Sequence, residues 1–183
     1  MVGLLIAGLS FPVIKSTVGH SGDQTPDLSS LSDPDLKTVA IQLERTACYG
    51  TCPAYSVTIH GDGRVEYNGK SHVKEMGMRE GQIETNKIRA LASLFAKMKF
   101  WGLAEDYSAT KCKGRVCTDM ATAITELSIR GATHRVKHYY GCGSAPKSLF
   151  DLESGIDKSA NSAQWTGDVR NAGPYGTTCS DGN

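Results

Sequence analysis

Six cysteines are the residues of this chain best placed to do chemistry, and their spacing is uneven. Cys48 and Cys52 enclose three residues in the loop Cys48-Tyr-Gly-Thr-Cys52-Pro53. Cys112 and Cys117 enclose four, while Cys142 and Cys179 stand apart. Gly50 allows the first loop to turn tightly enough to bring the Cα atoms of Cys48 and Cys52 within disulfide reach. Thiol–disulfide exchange enzymes usually set two residues between their cysteines, at a helix N-terminus whose dipole lowers the thiol pKa. Here three residues intervene, a proline follows and a strand comes next. A structural disulfide fits that context better than a redox centre. Zinc would need Cys48 and Cys52 to join a distant pair such as Cys112 and Cys117, and these spacings suit it poorly.

Pairing of the remaining cysteines is open. Cys117 and Cys142 flank a hairpin that turns near Arg130-Gly131, and reflection through that turn puts them about two positions from facing each other. Cys112 and Cys179 are then left to tie an irregular segment to the C-terminal tail. The alternative joins Cys112 to Cys117 and Cys142 to Cys179.

Other chemistry is sparse. His134 and His138 share a strand face but lie roughly 13 Å apart by strand rise, too far to hold one metal. His60 precedes a tight turn and reads as solvent-facing. Met76, Met78, Met98 and Met120 are soft ligands of the kind copper(I) takes, but Met98 belongs to a helix stripe. No metal and no cofactor is expected. Gly-x-Ser-x-Gly, P-loop, Gly-x-Gly-x-x-Gly and His-Glu-x-x-His motifs are absent. Asp106, Asp119 and Glu126 are scattered, so no catalytic residue stands out. Asp119 reads as a turn residue satisfying backbone donors. Glu44-Arg45 and Arg64/Glu66 read as solvent-facing charges across neighbouring strands.

The elements that carry these residues follow from periodicity. Val39, Ile41 and Leu43 alternate with polar Gln42 and Glu44, a half-buried strand. Tyr55, Val57 and Ile59 continue through Gly61-Asp62-Gly63 into Val65 and Tyr67, a β-hairpin. A further short strand is expected around residues 72–76. Thr85 can cap a helix extending to Phe100, with Ile88, Leu91, Ala92, Phe95 and Met98 as its apolar stripe. In the second half Ala123, Thr125, Leu127 and Ile129 form one strand face, and Gly131 marks a turn. His134, Val136, His138 and Tyr140 then lie on one face of the return strand. Pro146 opens a helix running to Asp157, with Leu149, Leu152 and Ile156 inward. The expected fold is α+β: an antiparallel sheet of two hairpin–helix units with the helices on one face.

At 183 residues, with 39% apolar and 21% charged content, the chain can bury one good core. Twenty basic residues against 19 acidic leave a net charge of +1. No basic stripe interleaved with aromatics suggests nucleic acid, and no long Lys/Arg cluster suggests an anionic membrane surface. The first 14 residues are uncharged and largely apolar, with Lys15 after them. That run has signal-peptide length and is short for a spanning helix. It reads as a leader or weak anchor, and residues 16–35 as a Ser/Asp/Gly/Pro-rich linker. The expected organisation is segment 1–35, one α+β domain over 36–166, and a Gly-rich tail over 167–183.

The stretch from Arg45 through Cys48-Tyr-Gly-Thr-Cys-Pro-Ala-Tyr-Ser-Val-Thr-Ile-His-Gly-Asp-Gly63 resembles the opening signature of a bacterial family, domain of unknown function 6438. Further matches are Thr118-Asp119, Arg135-Val-Lys-His-Tyr139 with Gly141-Cys142, Ile156-Asp157 and Trp165. The resemblance spans roughly residues 38–166. It implies a small bacterial protein with a lipoprotein or secretory N-terminus, and it supplies no activity, substrate or catalytic residue.

These readings converge on an exported protein, periplasmic or at the outer surface, possessing disulfides because that compartment oxidises thiols. The expected role is a non-catalytic binding or structural subunit of an envelope or membrane-associated assembly, partnered by another envelope protein. Weak N-terminal membrane attachment is a further expectation. The alternative is an envelope thiol–disulfide or metal-binding protein. On the sheet face away from the helices, Ser56, Thr58, His60, Arg135, Lys137 and Tyr139 form the expected partner face.

Overall fold

The structure, a computed structural model, describes residues 26–28 and 30–167. The apolar N-terminal run and the tail with Cys179 lie outside those residues. The alternating runs fold as β1 (Ala40–Arg45), β2 (Ala54–His60) and β3 (Arg64–Ser71). Gly63 at φ +91° makes the turn between β2 and β3, and the Asp62 carboxylate accepts the Arg64 amide at 2.9 Å. In the second half β6 (Thr122–Ile129) and β7 (Ala132–Tyr139) are joined by Arg130 and Gly131, both at positive φ. That two-residue turn matches the twist of its strands.

Two strands depart from the periodicity. The short strand expected at 72–76 is a turn, with His72 at φ +52°, and the strand itself is β4 (Gly77–Gln82). Its two glycines and half-exposed edge position erase the alternation that would have placed it. The segment holding Asp106 contributes β5 (Asp106–Tyr107), paired parallel to β7.

The result is a mixed α+β fold with one seven-stranded, mostly antiparallel sheet in the order β4-β3-β2-β1-β6-β7-β5. β1 is central: it pairs β2 on one side and β6 on the other, so it stitches the first half of the chain to the second. A meander of four strands precedes α2 (Thr85–Lys97), and the β6–β7 hairpin precedes α3 (Ser148–Ala160). Glu84, without a side-chain cap, occupies the position before α2, and Thr85 is already helical. The helix stops short of Phe100 because Lys99 turns to φ +51°, and residues 100–102 form a 3₁₀ turn. α3 continues past Asp157 until Asn161 closes it at φ +53°.

Ile41, Leu43, Val57, Ile59 and Leu127 on the strands pack with Ile88, Phe95, Leu149 and Leu152 of α2 and α3 in one core. Packing begins earlier than the expected boundary at residue 36. Leu28 and Leu31 are buried in that core, and α1 (Asp33–Leu36), capped by Ser32, adds Leu36. The end of the expected linker is therefore part of the domain. At the other end α4 (Ala163–Thr166) lays Trp165 against Tyr67 at 5.1 Å.

Candidate functional site

A guanidinium sits inside the sheet–helix interface. Arg45 ends β1 with the parity of Ile41 and Leu43, so its side chain faces the core. Strand register aligns it with Tyr55 of β2 on one side and Ala123 of β6 on the other, with His138 of β7 beyond Ala123. Above this row α3 presents Glu153 and Asp157, four residues apart and so on one helical face. Arg45 Nε donates to the Tyr55 hydroxyl at 3.2 Å and to Asp157 Oδ2 at 3.0 Å. Its Nη2 donates to the same oxygen at 2.8 Å, and Nη1 donates to the Tyr140 hydroxyl. Tyr55 and Ser162 hydroxyls donate to Asp157 Oδ1 at 2.7 and 2.8 Å. Tyr140 donates to Glu153 Oε2 at 2.8 Å, and His138 Nδ1 lies 2.7 Å from Glu153 Oε1.

Arg45 was expected to face solvent, and the structure reverses that: it is 5% exposed. Glu153 and His138 are 1% exposed, and only Asp157 retains some exposure. Burial opposes the charge on Arg45, but Asp157, Tyr55 and Glu153 outweigh it and hold the guanidinium protonated more firmly than usual. Burial likewise pushes the Glu153 carboxyl above the ordinary carboxylate range, against the pull of His138 and Arg45, with Asp157 adding to the rise. Tyr67, next along the sheet, is pushed up to about 12, first by burial.

A histidine oriented by a carboxylate is half of a nucleophilic site. Here the other half is missing: His138 Nε2 is buried without a hydrogen-bond partner, and the ring is walled by Tyr140 at 5.0 Å and Phe150 at 4.6 Å. The Arg45 nitrogens and the Glu153 and Asp157 carboxylate oxygens are bonded within the cluster. Its geometry is that of a brace between sheet and helix. A groove of about 530 Å³ lies elsewhere, where Leu28 meets Phe95, Phe100 and Trp101, and it reaches none of these groups.

The five described cysteines lie at one end of the sheet. Cys48 bonds Cys52 with Cα atoms 5.6 Å apart, across the connection from β1 to β2. Cys142 bonds Cys112, also at 5.6 Å, and so has neither Cys117 nor Cys179 as its partner. The reason is register. The Cys117 amide bonds Gly141 O, and Val116 is the residue bridged to Cys142, so Cys117 and Cys142 are one step out of phase. Cys117 carries no free thiol. Cys179 lies outside the described residues. Among the described residues no group of three or more His, Cys, Asp or Glu side chains could hold a metal ion, and no helix is long and apolar enough to cross a membrane.

Ser56, Thr58, His60, Arg135, Lys137 and Tyr139 share the outward parity of β2 and β7, but the two groups are separated by β1 and β6. His60 lies 3.3 Å from Glu66, and Arg135 lies 3.5 Å from Glu126. Tyr139 donates to Cys117 O at 2.7 Å and accepts the Met120 amide, so the 117–120 loop covers it. Lys137 is aligned with Ile124 and Asp106. The same face holds Glu44, Glu66 and Glu126, each ion-paired.

Residue type alone hides the brace, because charge argues for an outward position. Strand parity through Ile41 and Leu43 would have placed Arg45 inward, and the α3 stripe through Leu149, Leu152 and Ile156 includes Glu153. Compared with known proteins, residues 39–160 match the model of a family described as Domain of unknown function (DUF6438). A search of curated proteins finds no match.

Proposed function

The chain belongs to the family of domain of unknown function 6438, and from that premise we propose that it is an exported, non-catalytic binding or structural module of the bacterial envelope. One observation carries the reading. The ionisable groups that the fold gathers, Arg45, His138, Glu153 and Asp157, bond one another, and all but the partly exposed Asp157 are shut inside the core. Both described disulfides are compatible with an oxidising compartment and brace loops at one end of the sheet. In this reading the disulfides and the brace serve rigidity, and recognition falls to the surface. The apolar N-terminal run supplies export or a weak membrane attachment, and the partner is another envelope protein.

The thiol–disulfide alternative has a direct test. Purified full-length protein is added to insulin and dithiothreitol, and precipitation of the reduced insulin chain is followed. A non-catalytic module leaves the rate at background. Acceleration that disappears with Cys48→Ser and Cys52→Ser would overturn the reading.

A further inference from the structure

We infer that the brace is a proton-dependent latch: His138 and Glu153 hold one proton between them in the core, and its loss as pH rises above neutral unseats α3 from the sheet. Charge balance and geometry lead there. Asp157 Oδ2 accepts from two Arg45 nitrogens, at 3.0 and 2.8 Å, so those two charges offset each other. Glu153 stands 3.8 Å from the same guanidinium, and its oxygens meet the Tyr140 hydroxyl at 2.8 Å and His138 Nδ1 at 2.7 Å. An ionised Glu153 beside a neutral imidazole would leave a surplus anion on a side chain 1% exposed. Buried groups shed an unbalanced charge by binding or releasing a proton. One proton on the pair makes these four groups neutral together, whether it rides on the ring facing the carboxylate or on the carboxyl facing Nδ1. Burial pushes the Glu153 carboxyl up in the same direction.

Among the described residues, the titratable groups facing the pair are Arg45 from β1, Tyr55 from β2, Tyr107 from β5, Tyr140 beyond β7 and Asp157 from α3. β6 sets Ala123 beside His138, and α2 meets α3 at Gly155 through Leu91 and Leu94. Lys137 and Asp106 are aligned with each other on the opposite parity, so they face the other side of the sheet. The Tyr140 and Phe150 centroids lie 5.0 and 4.6 Å from that of His138, within the roughly 6 Å at which an aromatic face steadies a cation. An unfolded histidine gives up its proton near about pH 6.5, and an unfolded glutamate well below that. Above that pH only the folded chain keeps the shared proton, so stability falls as pH rises. Both acids of the brace belong to α3, so an unbalanced anion is relieved when α3 lifts toward water.

Two measurements on the full chain test this. The first is nitrogen NMR of protein labelled with 15N-histidine, in which the His138 signals are those that survive when each of the other four histidines is replaced in turn by glutamine. At about pH 7 His138 Nε2 should bear a hydrogen, as it does whether the shared proton sits on the ring or on the carboxyl. An Nε2 without hydrogen means a neutral imidazole donating through Nδ1 to an ionised Glu153, and overturns the proposal. The second is amide hydrogen exchange, corrected for the intrinsic rate, in the wild type and in Glu153→Gln, which keeps the side-chain shape and cannot ionise. From about pH 7 to about pH 8 the protection of α3 amides should fall about tenfold in the wild type and stay level in the variant, with β1 amides changing less. Level α3 protection in the wild type, an equal fall in both proteins, or a fall shared fully by β1 would each overturn the latch.

Discussion

Arg45 is where side-chain chemistry and strand geometry disagree, and geometry wins. A lone arginine in the core would be prohibitive. Its cost is met by Asp157 on two of its nitrogens and by the Tyr55 and Tyr140 hydroxyls. Removing the cation strands two carboxylates, so Arg45→Met should destabilise the protein by about 3–5 kcal/mol in chemical unfolding. A loss below about 1 kcal/mol would show that the brace is dispensable. Glu153 gives the pH dependence. Its carboxyl has a folded pKa above its ordinary value of 4.5, so its share of stability is fully present below that value and is lost as pH rises through the folded pKa. Glu153→Gln should therefore gain on the wild type as pH climbs from 4.5, measured as the difference in unfolding free energy; a flat difference would contradict it. Asp35 runs the other way. Arg130 and Ser32 hold its carboxyl below the usual range, so its contribution is lost as pH falls below 3.8.

At the scale of elements, local signals served well where period and turn chemistry agreed. The β2–β3 and β6–β7 hairpins and the inward stripes of α2 and α3 could all be read from alternation, Gly-bearing turns and helical spacing. β4 could not, because its glycines leave little side chain to alternate. The parallel pairing of β5 is two residues long and depends on contacts remote in sequence. The burial of Leu28 and Leu31 was hidden for a similar reason: isolated leucines in a polar stretch have no period. The Gly61–Gly63 turn offers a test at this scale. A Cβ at Gly63 would lie 2.3 Å from Ile83 O, and φ there is +91°. Gly63→Val should cost roughly 1–3 kcal/mol. An unchanged melting temperature would show that the turn tolerates a side chain.

For the molecule as a whole, β1 holds the two halves together, while each described disulfide closes a loop within one of them. β1 joins them through backbone pairing on both sides, and Cys112–Cys142 spans 30 residues between the irregular segment and the end of β7. By loop entropy, losing that bond through Cys112→Ser with Cys142→Ser should cost about 4 kcal/mol. Losing Cys48–Cys52, with a separation of 4, should cost about 2. Equal losses in paired denaturation curves would mean that the bonds act on the folded state instead. Export to an oxidising compartment, as proposed above, requires these four sulfurs to be oxidised in the cell. Host cells lysed directly into N-ethylmaleimide, followed by peptide mapping without reduction, should yield linked Cys48–Cys52 and Cys112–Cys142 peptides and no alkylation at any of the four. Alkylated Cys48 or Cys112 in a substantial share of the native protein would contradict it.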